Sequence, residues 1–489
     1  MKKKTLSAAL LFVAAASAAL LSCRVQLSER AVLAITHVTV IDATGAPAKP
    51  DQTVLIEKEK IVEVGPANAV AIPQGAQTID ATGKFLIPGL VDSHIHLTGA
   101  GEPGGSRDFI IPLLLANGIT SVRDMGGYLE SLIPLRDEIK KGDRLGPQIA
   151  FAGPYLDGSP PSFQPSLVVT NAVQASEDVR MLTQRGVDFV KVQSHLTRDA
   201  YFAITDVCKR EHISFVGHVP DRVTAMEAAQ AGQKSIEHLT NVLRGCSRDE
   251  AKLMREQFYV PGKKETTAES RARILRWQHR MLDSFSDEKR DALIGEFLKD
   301  GTRHTPTLIL LKNDAFPVPS PDLRADPRGK YVPRRLLAVW EKTYREQMRE
   351  MSPEETKLHE ALLRKSMSIA GEMQRRGVNI LAGTDSAAPY VFPGSSLHEE
   401  LALLVEAELT PMEALQAATR NPSEFLKPFA SQGTIEKGKD ANLVLLNANP
   451  LTEIHNTQRI DAVVLRGKLL DRRALDALLS HAQDYAAAN

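Results

Sequence analysis

Two histidines one residue apart close the segment Pro88-Gly-Leu-Val-Asp-Ser-His94-Ile-His96. In an extended strand, residues i and i+2 face the same side, so His94 and His96 offer two imidazole nitrogens to one metal ion. A lone His-x-His pair is weak ground for a metal site. Four further residues strengthen it: Lys191 in Asp188-Phe-Val-Lys-Val192, His218 at the end of Ile213-Ser-Phe-Val-Gly-His218, His238 at the end of Ser235-Ile-Glu-His238, and Asp385 at the end of Ile380-Leu-Ala-Gly-Thr-Asp385. Imidazole and carboxylate are the donors that zinc-like divalent ions take. A lysine in an apolar run can also snorkel at a rim, a single buried histidine often serves the core, and an aspartate can cap a helix. Six such residues, all at strand ends, are read together as a metal-binding constellation.

The elements that would position them alternate apolar strand-like runs with helical stretches over about 85–425. The candidate strands are Phe85–His96, Thr120–Arg123, Gln148–Gly153, Phe189–Val192, Ser214–His218, Ser235–His238, Thr305–Leu311 and Asn379–Asp385. Eight strands with helices between them fit a (β/α)8 barrel, whose strand C-termini converge on one catalytic face. Around it, residues 23–87 and 426–472 read as short β-rich segments broken by turn signals, as if one small β-sandwich were made from both chain ends. The barrel is assigned to 88–425, with charged helical insertions at 240–300 and 312–378 that either cap its mouth or enlarge its outer ring. Residues 473–489 are a helix or tail.

The order His-x-His, Lys, His, His, Asp resembles the binuclear amidohydrolase superfamily. So do Ala81-Thr-Gly-Lys-Phe-Leu-Ile-Pro-Gly-Leu-Val-Asp92 before the histidine pair and Gly433-Thr-Ile-Glu-Lys-Gly-Lys-Asp-Ala-Asn-Leu-Val444 near the end. The stretches Gly186–Val192 and Gly232–His238 are similar to the imidazolonepropionase-like branch that includes Xaa-Pro dipeptidases. The resemblance implies two divalent ions, zinc foremost. It places His94, His96 and Asp385 on one ion and His218 and His238 on the other. It makes Lys191, carboxylated by CO2 to a carbamate, the bridge between them, and Asp385 the group that moves the proton. The sequence departs from that branch where the substrate would lie: His218-Val-Pro220 carries no Tyr after the histidine, and Gly153-Pro-Tyr155-Leu-Asp157-Gly-Ser-Pro-Pro161 carries no His. Tyr155, His195, Arg222 and Arg244 are the candidate replacements for substrate recognition.

Three functions compete on these grounds. One is hydrolysis of the amide bond of a peptide or N-acyl amino acid, and the second is hydrolysis of a cyclic amide, imide or lactone on the same centre. The third is a catalytically degenerate lipoprotein that binds at a surface. The complete ligand set speaks against the third.

Composition narrows the partners. Lys+Arg and Asp+Glu both total 60, so no basic surplus draws nucleic acid to the chain. A small-molecule or short-peptide substrate is expected, and a homo-oligomer is compatible with the sequence. Cys208 and Cys246 do not make a disulfide framework. Residues 1–22 read as a lipoprotein signal peptide: Lys2–Lys4, the apolar run Thr5–Leu21, then Leu20-Leu21-Ser22-Cys23. That run is short for a membrane span of about 20 residues. Cys23 is the expected lipidation site, placing the protein outside the cytoplasm on a lipid anchor, at the periplasmic face of an outer membrane where the cell has one. Cys23→Ala is expected to abolish incorporation of labelled fatty acid; a wild-type protein that takes up no label removes the anchor.

Overall fold

The computed structural model describes residues 32–98, 106–256, 266–315, 326–348 and 351–489. The signal segment and Cys23 lie outside the described residues.

Both ends of the chain meet in one mixed eight-stranded sheet. From the N-terminal part come Val32–Val40, Lys49–Glu57, Lys60–Pro66, Gln77–Asp80 and Phe85–Pro88; from the C-terminal part come Leu443–Leu446, Ile460–Leu465 and Lys468–Leu470. The seam is Phe85–Pro88, which runs parallel to Val32–Val40 on one side and antiparallel to Leu443–Leu446 on the other. Alternation puts Leu33, Ile35, Val54, Leu86, Leu443 and Leu445 into one apolar cluster.

The centre of the chain is an α/β array of parallel strands. Leu90–Ile95, Ile119–Asp124 and Gln148–Phe151 form one sheet; Tyr155–Asp157, Val190–Val192, Phe215–Gly217, Ser235–Glu237 and Arg303–Thr305 follow in another, with Ser166–Val168 at its edge. Helices separate most successive strands, as parallel crossovers usually require; Gln148–Phe151, Tyr155–Asp157 and Ser166–Val168 follow one another through loops alone. Segment 379–386 bonds to both sheets: Leu381 N–H donates to His304 O, and Ser93 N–H donates to Ala382 O.

Three strand expectations need correction. The run Phe85–His96 is two strands, parted at Gly89, where a β-carbon would collide with the Thr120 side chain. Thr305–Leu311 is extended only to Thr305, because Pro306 has no N–H for a ladder and Leu308–Ala315 is helix. Asn379–Asp385 forms no regular strand: it makes an isolated bridge at Ile380, the next bridge falls just past its end at Ser386, and Asp385 lies in the left-handed region (φ 65°).

The insertions are helical: Thr267–Asp283 and Asp287–Asp300 in the first, Arg334–Met348 and Pro353–Arg375 in the second. Arg271 Nε and Nη2 grip Glu355 at 2.6 and 2.8 Å, tying one insertion to the other. Trp340 is buried and stacks on Tyr390 with ring centroids 6.1 Å apart, so the second insertion rests on the loop that follows Asp385. Cys208 and Cys246 are buried and unbonded to each other. His398 links Thr457 Oγ1 to Asn117 O, a structural tie between distant parts of the chain.

Glu400, on helix Ser395–Glu406, is fully buried and accepts Ile309 N–H at 2.8 Å at the start of helix Leu308–Ala315. Burial pushes its carboxyl up to about 8 against the opposing pull of backbone N–H groups. An unfolded chain releases the same proton near ~4.3. The stability carried by the protonated form is therefore complete below ~4.3 and is lost as pH rises through about 8. Glu400→Gln keeps an oxygen for Ile309 and removes the titration. Urea unfolding between roughly pH 5 and pH 8 should show a flatter loss of stability in the variant than in the wild type; equal slopes would mean that Glu400 is charged in the folded protein.

Candidate metal centre

The strand Leu90–Ile95 is buried along its whole length, so the side chains of Asp92 and His94 point into the protein rather than to solvent. His94 has no exposed surface, and His96 follows it at the strand end. Lys191 lies mid-strand in Val190–Val192, and His218 and His238 each follow the last residue of a neighbouring strand. Asp385 arrives from segment 379–386, where Asp385 N–H donates to His94 O at 2.7 Å. His238 and Asp385 have left-handed backbones (φ 57° and 65°). Such a conformation costs a residue with a side chain on the order of 1–2 kcal/mol, and strain of this kind gathers at functional sites.

All five ring and carboxylate members converge. Ring centroids are 5.4 Å apart for His94 and His96, 4.5 Å for His94 and His238, and 5.0 Å for His218 and His238. Asp385 Oδ1 lies 3.0 Å from His96 Nε2 and 3.3 Å from His94 Nε2. Ligand atoms of His94, His238 and Asp385 all lie within 4.8 Å of one another.

The decisive pattern is on the far side of each ring. His94 Nδ1 donates to Glu237 Oε2 (2.8 Å) and His96 Nδ1 donates to Gly126 O (3.0 Å). His218 Nδ1 meets Ser194 Oγ (2.9 Å) and His238 Nδ1 meets Thr307 Oγ1 (2.7 Å). Every Nδ1 is engaged, which leaves every Nε2 for the centre. This is how metal-binding histidines are oriented. His94 Nε2 is buried without a hydrogen-bond partner among the described residues, an orphan that an ion would satisfy. The residues fit a metal site.

Electrostatics agree. Burial, with the charges of Lys191 and His238, holds His94 and His218 well below the ordinary histidine range, which favours the neutral rings that could bind an ion. Burial also lowers His238, to about 4. Burial works against ionisation of Asp385, but the surrounding imidazoles and the His96 hydrogen bond outweigh it and keep the carboxylate charged. Burial brings the Lys191 amine down to about 8 against the pull of Glu237 and Asp385, and among the described residues it has no ion-pair partner. Gly217 makes room for it: a β-carbon there would stand 2.9 Å from Lys191 Cδ and would strike Val192 O.

Beneath the ligands lies Arg123, fully buried, which the sequence reading passed over except as a strand end. Its Nε donates to Ser93 O (2.5 Å), and its Nη2 donates to Glu237 Oε2 (2.7 Å) and Thr305 Oγ1 (2.9 Å). Asp92 accepts His94 N–H and the Thr384 hydroxyl. Asp124 accepts Leu97 N–H and Gly126 N–H. A charged residue closing an apolar run was the available signal for Arg123 and Asp124.

The substrate candidates separate. Tyr155 is buried, with its hydroxyl 3.2 Å from His96 Nδ1, in space left by Gly126, where a β-carbon would strike the tyrosine ring. His195 is half-buried and meets Pro160 O through Nδ1. Arg222 is exposed. Arg244 is buried and donates to Asp221 O and Val223 O, so it braces a loop.

Residues 85–470 match the amidohydrolase family. An imidazolonepropionase from Idiomarina loihiensis is 42% identical over 68 residues, 14% of this chain and 17% of that protein. The chain spans between 11% and 20% of the length of the curated relatives it matches. Among solved structures, a bottromycin amidohydrolase superimposes with a TM-score of 0.69 at 21% identity, covering 94% of this chain and 92% of the other. A Xaa-Pro dipeptidase with bound methionine gives 0.64 at 18% identity, covering 90% of this chain and all of the other. At these identities the likeness is one of fold.

Glu237 neutralises Arg123 and orients His94 at once, so removing its charge has two consequences. Glu237→Gln leaves a buried guanidinium without its counter-ion and should lower unfolding free energy by about 3 kcal/mol or more. Affinity for zinc should fall by roughly 10- to 100-fold. Denaturant unfolding and metal titration on the same preparation read both. A variant with unchanged zinc affinity would show that the pair does not set the imidazole.

Proposed function

The chain belongs to the amidohydrolase family, and we propose that it is a binuclear metal-dependent hydrolase that cleaves the amide bond of a peptide or N-acyl amino acid. The observation that carries the reading is the set of four imidazoles with every Nδ1 engaged and every Nε2 left to one centre beside Asp385 and Lys191. We read the parallel strands as a (β/α)8 barrel completed by segment 379–386, with these residues at its catalytic end.

His94, His96 and Asp385 would hold one ion, and His218 and His238 the other. Lys191 would bridge them: its ε-amine, partly neutral near pH 8, adds CO2 and releases a proton, leaving an anionic carbamate. When bound, divalent ions such as zinc supply a nucleophile at neutral pH and polarise the scissile carbonyl. Asp385 is 17% exposed where His94 is wholly enclosed, so it is the carboxylate that meets substrate. As an ionised base it accepts the proton of the attacking water and delivers it to the leaving nitrogen. Tyr155, with its hydroxyl 3.2 Å from His96 Nδ1, meets that ring on the side away from the centre and helps to hold it in place. Arg123 and Glu237 act through His94, holding its Nε2 toward the centre.

Elemental analysis should find about two divalent ions per chain; a single ion with an unmodified Lys191 would favour a mononuclear enzyme. Asp385→Asn retains an oxygen ligand but is a poor base. Metal content should fall modestly while the rate falls by roughly 10²–10⁴-fold. His94→Ala should lose metal and activity together. A fully metallated Asp385→Asn protein with near-normal turnover would assign the proton transfer to another group.

A further inference from the structure

Helix Leu308–Ala315 is moored to the candidate centre at both ends. At its start Thr307 Oγ1 meets His238 Nδ1 at 2.7 Å, and Thr307 O accepts Leu310 N–H at 3.0 Å. Near its end Asn313 Nδ2 donates to Tyr390 O at 3.2 Å. Tyr390 lies in the loop that leaves Asp385 through two tight turns, Ala388 N–H to Asp385 O and Val391 N–H to Ala388 O. A helix about 12 Å long thus runs from beside one ligand to beside the loop that delivers another.

Asp314 follows Asn313 on this helix. It is exposed, and among the described residues its carboxylate has no hydrogen bond or ion pair. Lys312, two positions earlier, lies on another face of the helix and does not neutralise it. Water reaches Asp314, yet the surrounding protein pushes its carboxyl up to about 6, and the charge that adds to this push is that of Asp385. The two carboxylates therefore face one recess, with Asp385 against the histidines and Asp314 farther out. An unpaired carboxylate at the open side of a metal centre repels anions and draws cations in. Arg244 does not offset it, since it is spent on Asp221 O and Val223 O.

We infer that Asp314 selects substrates that carry a positively charged ammonium group close to the scissile amide, on the α carbon or at the end of a basic side chain. The inference rests on the hydrolase reading for the reaction, and on the metal centre alone for recognition of the cation.

The test uses full-length, zinc-loaded protein and four hydroxamates, a group that binds zinc, titrated by calorimetry. Hexanohydroxamate has no ammonium, norleucine hydroxamate has one on the α carbon, 6-aminohexanohydroxamate has one at the chain end, and lysine hydroxamate has both. Wild type should bind one of the singly charged compounds roughly 10-fold more tightly than hexanohydroxamate, and which one does so names the source of the charge. Asp314→Asn keeps the size of the side chain and removes its charge, so it should bring that compound down to the affinity of hexanohydroxamate. Asp314→Glu should keep part of the preference. Equal affinity for all four compounds, or a preference that survives Asp314→Asn, would overturn the role of Asp314 and leave the centre standing. Failure of all four to bind removes the metal centre and the inference with it. A preference that depends on Asp314, in a protein that turns over no basic peptide or amide, supports the cation site and removes the hydrolase.

Discussion

One guanidinium and one carboxylate, both wholly out of water, govern the centre of this protein. Arg123 reaches Ser93, Ser235, Thr305 and Glu237, which lie on or next to three different strands and include the two that flank His238 and Thr307. Ion burial is expensive unless the remaining donors are matched. Here each guanidinium nitrogen finds an acceptor, drawn from the strands Leu90–Ile95, Ser235–Glu237 and Arg303–Thr305. Glu237 then has an oxygen to receive His94 Nδ1–H, which fixes the tautomer of the most enclosed imidazole. The orientation of His94 thus descends from a contact between residues 114 positions apart.

The same crowding explains the glycines that the site needs. Gly383 passes so near the first strand that a β-carbon would sit 2.8 Å from His94 N and 2.6 Å from Thr305 Cγ2. Gly217 and Gly126 do the corresponding service for Lys191 and Tyr155. The ligands come close because backbones do, and the backbones do because side chains are missing at these three places.

What could be read in the sequence was what is local. An apolar run ending in His, Lys or Asp announces a strand end with a polar task, and the structure brings all six such residues into one neighbourhood. The contacts behind them were not legible, since Arg123, Glu237, Thr307 and Ser194 find their partners only through the fold. The misplaced strand at Thr305–Leu311 has a local cause: four apolar residues in a row suit a buried helix as well as a strand, and Pro306 should have decided between them. Segment 379–386 lacks a regular ladder because its end is bent to deliver Asp385. The joining of the chain ends was legible as composition, but not which strand of one end would pair with which of the other.

That joining bears on how the chain must be made. Phe85–Pro88 sits between strands near the beginning of the chain and Leu443–Leu446, about 355 positions later. At ~5–20 residues per second, roughly 20–70 seconds of synthesis separate the two halves of the ladder. Through that interval Leu86 and Ile87, buried in the finished protein, have one edge without its partner. Unpaired edges of this sort are where nascent chains associate wrongly. The mixed sheet is therefore the last layer to close, and a chain halted short of residue 443 reaches that point with its sheet half built.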